Sequence, residues 1–456
     1  MFGRYVNEDQ RKRYRMNTST QDQVTLLAAH EQAIAAASKD PSLSPETGRK
    51  VSKGTLFRFG AGFLIFGILW MSGLGIVSIV LLPEHYKSIQ GIQPEALLGI
   101  VNAATAVASL VANLLFGNFS DRSRSRFGRR TPWILFGAVL GGVTLFLTGT
   151  TDNAILLTIY YCGSMFGLNC MIAPLVALLS DRIPSGVRGT MSAFYGAGAT
   201  IGAPIGTLIG AYFISNLIPG FAISGTLMFL GGVVAVLIMP REESAAYLPK
   251  SQDGVKDVVM SFRPPKFSQS HDFYKAFVGR FCMLVSYQMI TAYQLYIVQN
   301  YIGQSTAESA ATISVISVIT MVVSLVGSVV AGPFSDFIGR RKLPVIIASV
   351  CFAIGIAMPW IFPSSVGMYL YAAIAGLGYG VYSSVDQALL VDVLPNKDQA
   401  GKDLGILNLA TTLGQMCGPI IMSTVVLAVG YVFAFPLAIA LALIGCVFIL
   451  FIRTVK

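Results

Sequence analysis

Arg280 and Asp386 stand inside otherwise apolar stretches of the chain. An ionised side chain in hydrocarbon is costly, and where one persists it usually pairs or works. Asp386 lies nine residues before Pro395 and Arg280 eight residues after Asp272. At helical rise these offsets are roughly 13 Å and roughly 12 Å, so the two residues share a depth. An ion pair at that level, broken when the carboxylate takes up a proton, is the chemistry of proton coupling. Near them, polar and aromatic residues recur at helical steps: Tyr287, Thr291, Gln294 and Tyr301, flanked by Gln288, then Tyr379, Tyr382 and Asp386. Trp70, Asn169, Asn408, Thr411 and Gln415 add amides, a hydroxyl and an indole in other apolar runs. Amides and hydroxyls bond sugar hydroxyls, and aromatic faces stack on sugar C–H faces. Asn102, Thr105, Ser109 and Asn113 have helical spacing too, but read as hydrogen bonds between helices in lipid.

The elements that must hold these residues follow from composition. The chain has 456 residues, 54% hydrophobic and 12% charged, with a mean hydropathy of +0.67. That charge is about half of what a soluble domain carries. Crossing the bilayer takes about 20 apolar residues. Runs of that size fall at 57–82, 95–117, 132–150, 154–179, 190–215, 219–239, 273–299, 308–332, 343–362, 367–393, 404–428 and 430–452. The chain is thus expected to be an all-α membrane protein with twelve transmembrane helices. The expected units are a polar tail (1–55), a six-helix bundle (56–239), a linker (240–272), a second bundle (273–452) and a short end (453–456).

The net charge of +10 suggests nucleic acid until the charges are placed. Loops and tails on one side hold 29 Lys and Arg, the opposite loops hold only Lys87, and Lys275 and Arg280 lie within a span. This asymmetry predicts cytoplasmic termini by the positive-inside rule and assigns the charge to topology. The first apolar run starts too late to be a cleavable signal peptide. The six cysteines lie in apolar runs without metal-ligand spacing and read as reduced, buried residues. No H-E-x-x-H, G-x-S-x-G or Walker A pattern occurs, so neither hydrolysis nor ATP is indicated, and no cofactor is expected.

Between spans two and three the chain reads "GNFSDRSRSRFGRRTP". Gly117, Asp121, Gly128, Arg129 and Arg130 recur in order as Gly332, Asp336, Gly339, Arg340 and Arg341 between spans eight and nine. "ALLSDRIP" at 177–184 likewise recurs as "ALLVDVLP" at 388–395. The halves are therefore a duplicated six-helix unit, the pattern of secondary transporters. Gly117 and Gly332 are expected to admit a neighbouring helix closely, and the Asp–Arg pairs to hold the cytoplasmic mouth shut. Arg122, Arg124 and Arg126 read as plain positive-inside charge.

This loop and its echo resemble the signature of the major facilitator superfamily, over residues from about 57 to 452. "SDRSRSRFGRRTP", with Asn169, Pro174 and "ALLSD" in span four, is similar to the sucrose transporters and the related glycoside–pentoside–hexuronide:cation symporters. The resemblance implies two pseudo-symmetric six-helix halves, with spans 1, 4, 7 and 10 lining a central cavity. It also implies alternating access by a monomer in the cell membrane. The chain departs from that branch: the span-four segment "YYCGSMFGLNC" has no carboxylate, and span two has none before Asp121. Sodium coupling is thereby disfavoured; proton coupling must use Asp386, with Arg280, or another group, or the chain is an uncoupled facilitator. The leading expectation is a sugar:proton symporter. The alternatives are a drug or metabolite exporter of the same fold, or a membrane receptor that binds without transporting.

Overall fold

The computed structural model describes residues 20–246, 265, 267, 270–338, 342–393 and 400–453. After a first helix at Thr20–Lys39, twelve further long helices follow one another among the described residues: α1 (Lys53–Tyr86), α2 (Pro94–Arg122), α3 (Thr131–Thr148), α4 (Ala154–Arg182), α5 (Arg188–Tyr212), α6 (Leu217–Ile238), α7 (His271–Ala292 continued by Gln294–Tyr301), α8 (Thr306–Ile338), α9 (Lys342–Ile361), α10 (Ser365–Asp392), α11 (Ala400–Val429) and α12 (Tyr431–Leu450). Their starts follow local rules. Ser52 caps α1 by accepting from the Thr55 N–H, and Asn153 caps α4 by accepting from Ile155 and Leu156. Pro94 and Pro132 occupy first-turn positions of α2 and α3.

Among the described residues, nine helices are long and apolar enough to cross a membrane alone, and the bent α7 makes a tenth. Helices α5 and α10 fall outside this set and carry more glycine, serine or tyrosine. In α5, Gly198, Gly202, Gly206 and Gly210 form one stripe against the carbonyls of Leu64, Ile68, Ser72 and Ile76. A Cβ on any of the four would come within 2.2 to 2.5 Å of those oxygens. This is the small-residue packing that lets membrane helices meet without a hydrophobic driving force.

The pairings repeat with an offset of six helices. In the first half α1 packs on α5 and α6, α3 on α4 and α6, and α2 on α4. In the second, α7 packs on α11 and α12, α9 on α10 and α12, and α8 on α10. The halves meet through α2 with α11 and α5 with α8. Helices α1 and α7 each turn into one π-helical stretch, Val77–Leu81 and Ile297–Tyr301. Such stretches often mark functional segments. The second follows a 53° bend between Ala292 and Gln294.

Outside the bundle, a surface helix (Thr20–Lys39) leads into a hook closed by the Leu43–Lys50 bridge and by Gly48 at φ 64°. The hook is bolted to the end of α4. Ser44 donates to the Arg182 carbonyl at 2.8 Å, and Glu46 accepts from Arg182 Nε at 2.6 Å.

Candidate functional site

Arg280 Nη1 lies 2.6 Å from Asp386 Oδ2, and both side chains are buried. Arg280 Nε also donates to Thr411 Oγ1 at 3.0 Å. The pair therefore ties together α7, α10 and α11. Tyr379, two turns before Asp386 on α10, stacks on Tyr287 of α7 with ring centroids 4.1 Å apart and planes 10° apart. Phe352 of α9 adds a tilted contact to Tyr287 at 5.8 Å. Thr291 lies beside the hydroxyls of Tyr287 and Tyr371. Tyr382 faces Asp386 one turn away, and its buried hydroxyl makes no well-formed hydrogen bond to a described residue. An ion pair, a stacked tyrosine pair and an unsatisfied hydroxyl thus share one patch.

The other sequence-selected residues distribute around this patch. Gln288 rests on Gly418 of α11. Gln294 is buried just past the bend in α7. Gln415, one turn after Thr411, is exposed. The side chain of Asn408 lies outside the described residues. In the first half, Asn169 donates to the Met165 carbonyl and accepts from Asn113 Nδ2 at 3.4 Å, an amide contact between α4 and α2. Trp70 packs beside Phe66, and its buried indole N–H has no partner among the described residues.

The arginine-rich loop forms a second, separate constellation at one end of the first half. Arg130 is 2% exposed and reaches Asp121 at 2.6 Å and Asp181 at 2.7 Å, and donates to Ser120 Oγ at 2.5 Å. Arg129 reaches the same Asp181 at 3.2 Å. Glu242 caps α3, accepting from Thr131 N at 2.7 Å and Arg130 N at 3.0 Å. Gly128 sits at φ 97°, and a Cβ there would strike Glu242 at 2.3 Å, so the turn demands glycine. Asp181 and Glu242 were not singled out from the sequence. The repeat "ALLSDRIP" carried Asp181, but nothing in spacing showed that it closes on Arg130.

One expectation needs correction. Gly117 admits no helix: a Cβ there meets nothing within 4 Å, because no neighbouring backbone approaches that turn in this conformation. The Asp121–Arg129–Arg130 pairs do not bridge the two halves. They join the α2–α3 loop to α4 within one half. Gly332 and Asp336 fall in α8, but their surroundings, and Gly339, Arg340 and Arg341 entirely, lie outside the described residues.

Hydrogen bonds between the halves, among the described residues, gather at the face opposite these arginines. Tyr293 and Ser423 donate to the Glu95 carbonyl at 2.7 and 2.9 Å, and Tyr296 donates to the Pro83 carbonyl at 2.8 Å. The Glu95 carboxylate accepts from Asn300 at 2.8 Å and from Tyr431 at 3.0 Å. Lys87 bridges Glu84 and Gln299. Among the described residues, one face is stitched across the halves, while the bonds at the arginine-rich face stay within each half.

Comparison with known proteins gives this architecture a context. Residues 58–301 and 276–456 match the family pattern of the Major Facilitator Superfamily. A protein of Haemophilus influenzae described as a metabolite transport protein is 23% identical over 345 residues, 67% of this chain and 74% of that one. Among solved structures, a D-xylose-proton symporter superposes with a TM-score of 0.66 at 14% identity, covering 88% of this chain and 98% of that one. A nucleoside transporter gives 0.64 at 13%, covering 86% and 98%. A bacterial homologue of the human lysosomal transporter Spinster, inward-facing and unoccupied, gives 0.62 at 15%, covering 88% and 95%.

Proposed function

The chain belongs to the Major Facilitator Superfamily, a multi-pass membrane transporter rather than an enzyme, and we propose that within it the protein is a sugar:proton symporter. Its substrate is an oligosaccharide or glycoside, related to those of the sucrose-transporter and glycoside–pentoside–hexuronide branch. It works in the plasma membrane with both termini cytoplasmic, an orientation that the charge asymmetry of 29 to 1 supports. The arginine-rich face is then cytoplasmic. The stitched face is external, and the conformation is closed to the outside.

The observation that carries the reading is the buried Arg280–Asp386 pair beside the Tyr287–Tyr379 stack. Protonating Asp386 removes the acceptor that neutralises Arg280. A buried guanidinium left without an acceptor is costly. Sugar hydroxyl oxygens, held over the tyrosine faces, supply replacement acceptors. Proton and sugar therefore favour each other's binding, which is what symport needs. The indole N–H of Trp70 and the amides of Asn169 offer contacts from the first half. Asp121, Arg129 and Arg130 act in gating by holding the α2–α3 loop to α4 in this state and yielding as the halves rock.

The test is uptake of labelled sugars into proteoliposomes under an imposed pH gradient. Uphill accumulation driven by an acidic exterior supports the proposal. Equilibration that ignores the gradient rejects coupling, and no flux of any sugar rejects the substrate class.

A further inference from the structure

At the arginine-rich face, a groove of about 930 Å³ opens between the ends of α1, α3 and α6. Its walls include Ile134, Leu135, Val236 and Leu237, and Arg58, Arg126 and Arg241 also line it. Helix α3 begins at Thr131 and α6 ends at Ile238, so the groove lies where the hydrocarbon gives way to water. Leu237 and Phe127 are 71% and 63% exposed there, as side chains facing lipid would be.

The charge around the groove is unbalanced. Among the described residues no carboxylate forms an ion pair with Arg58, Arg126 or Arg241. Arg58 donates to the Ile238 and Met239 carbonyls, which anchors its guanidinium at the end of α6. Arg126 lies 4.9 Å from the centre of the Phe127 ring. The one acid in the lining, Glu242, has its carboxylate committed to the first turn of α3 through Arg130 N, Thr131 N and Thr131 Oγ1. Arg182, also in the wall, is paired with Glu46. What remains is an apolar trough beside three arginines that have no carboxylate partner among the described residues.

We propose that this groove binds an anionic phospholipid. An acyl chain lies along Leu135 and Val236, and the phosphodiester meets Arg126 and Arg241, with Arg58 beneath. Apolar wall and cationic mouth match the two ends of one lipid molecule, and basic pockets between membrane helices are where such headgroups bind. The site stands apart from the Arg280–Asp386 patch, so it holds whether or not the sugar assignment does.

Native mass spectrometry of the detergent-purified full-length protein tests this with phosphatidylglycerol and phosphatidylcholine of matched chains. Phosphatidylglycerol is expected to form the retained adduct. Arg126→Ala with Arg241→Ala is expected to weaken it roughly thirtyfold while leaving phosphatidylcholine unchanged. Both side chains are exposed, so the fold tolerates their removal. Leu135→Trp, which fills the trough and keeps every arginine, is expected to weaken the same adduct. Equal retention of the two lipids, or a double variant that binds as before, overturns the site. Displacement by excess inorganic phosphate, or indifference to Leu135→Trp, overturns the lipid and leaves only a surface attraction for anions.

Discussion

In the amino-terminal half, ionisable side chains gather at the two ends of the bundle: Glu84, Lys87 and Glu95 at one, Asp121, Arg130 and Asp181 at the other. Between them the polar contact linking α2 and α4 is the neutral Asn113–Asn169 pair. The carboxy-terminal half repeats the helix packing but buries the Arg280–Asp386 ion pair within α7 and α10. A duplicated scaffold thus carries unlike interiors. An amide pair bonds a sugar at any pH and has no proton to trade. In this account the first half grips and the second half couples, and only the second should lose coupling when its polar centre is altered.

The largest effect is expected from Asp386→Asn. Accumulation against a gradient should fall to simple equilibration while sugar exchange continues, read as the steady-state ratio of labelled sugar in proteoliposomes. The matching change in the first half, Asn169→Ala, should raise KM and keep accumulation. Loss of uphill transport in Asn169→Ala alone would reverse the assignment of roles.

Tyr379→Ala should come next. Removing one face of the stack deletes an aromatic contact worth about 1 kcal/mol. Substrate KM is expected to rise roughly fivefold, with Tyr379→Phe near wild type. Equal damage from Phe would shift the role from the ring to the hydroxyl.

Asp181→Asn should act on stability more than on coupling. Arg130 is buried and would keep Ser120 Oγ and, as its carboxylate partner, Asp121, which is 61% exposed on its side chain. The half-exposed setting discounts the loss to about 1–2 kcal/mol. Thermal melting should fall by a few degrees, and the proton-to-sugar ratio should stay fixed. The smallest effect is expected at Glu95→Gln. The amide oxygen still accepts from Asn300 and Tyr431 but loses the charge that strengthens both bonds. A cysteine-accessibility assay at the outer face should report a modest shift toward the outward-open form.

Most of the helices were legible because a span must be long and apolar, a demand that nine of them, and the bent α7 as a tenth, meet among the described residues. The pairing of halves was legible in the repeated loop. Depth counting set Arg280 and Asp386 at one level, and helix rise is regular enough for that arithmetic to matter. The partners of Arg130 were not legible. Whether Asp181 meets it depends on how the α2–α3 loop crosses the end of α4, which spacing does not encode. Glu242 is more distant still: its role as a cap for α3 depends on the chain turning back after α6. The stitched face, where Glu95 collects four donors, involves bonds between residues up to 336 positions apart. Each of these residues looks ordinary in its own segment. Gly117 shows the opposite failure, since a motif glycine invites a packing argument that this conformation does not use.

The most direct test is the external pH of energy-depleted, lightly buffered cells expressing the protein, recorded as sugars are added one at a time. The account predicts alkalinisation on adding one class of oligosaccharide or glycoside, and none in cells carrying Asp386→Asn. Entry of labelled sugar without any pH change would contradict proton coupling and reduce Arg280–Asp386 to a structural pair.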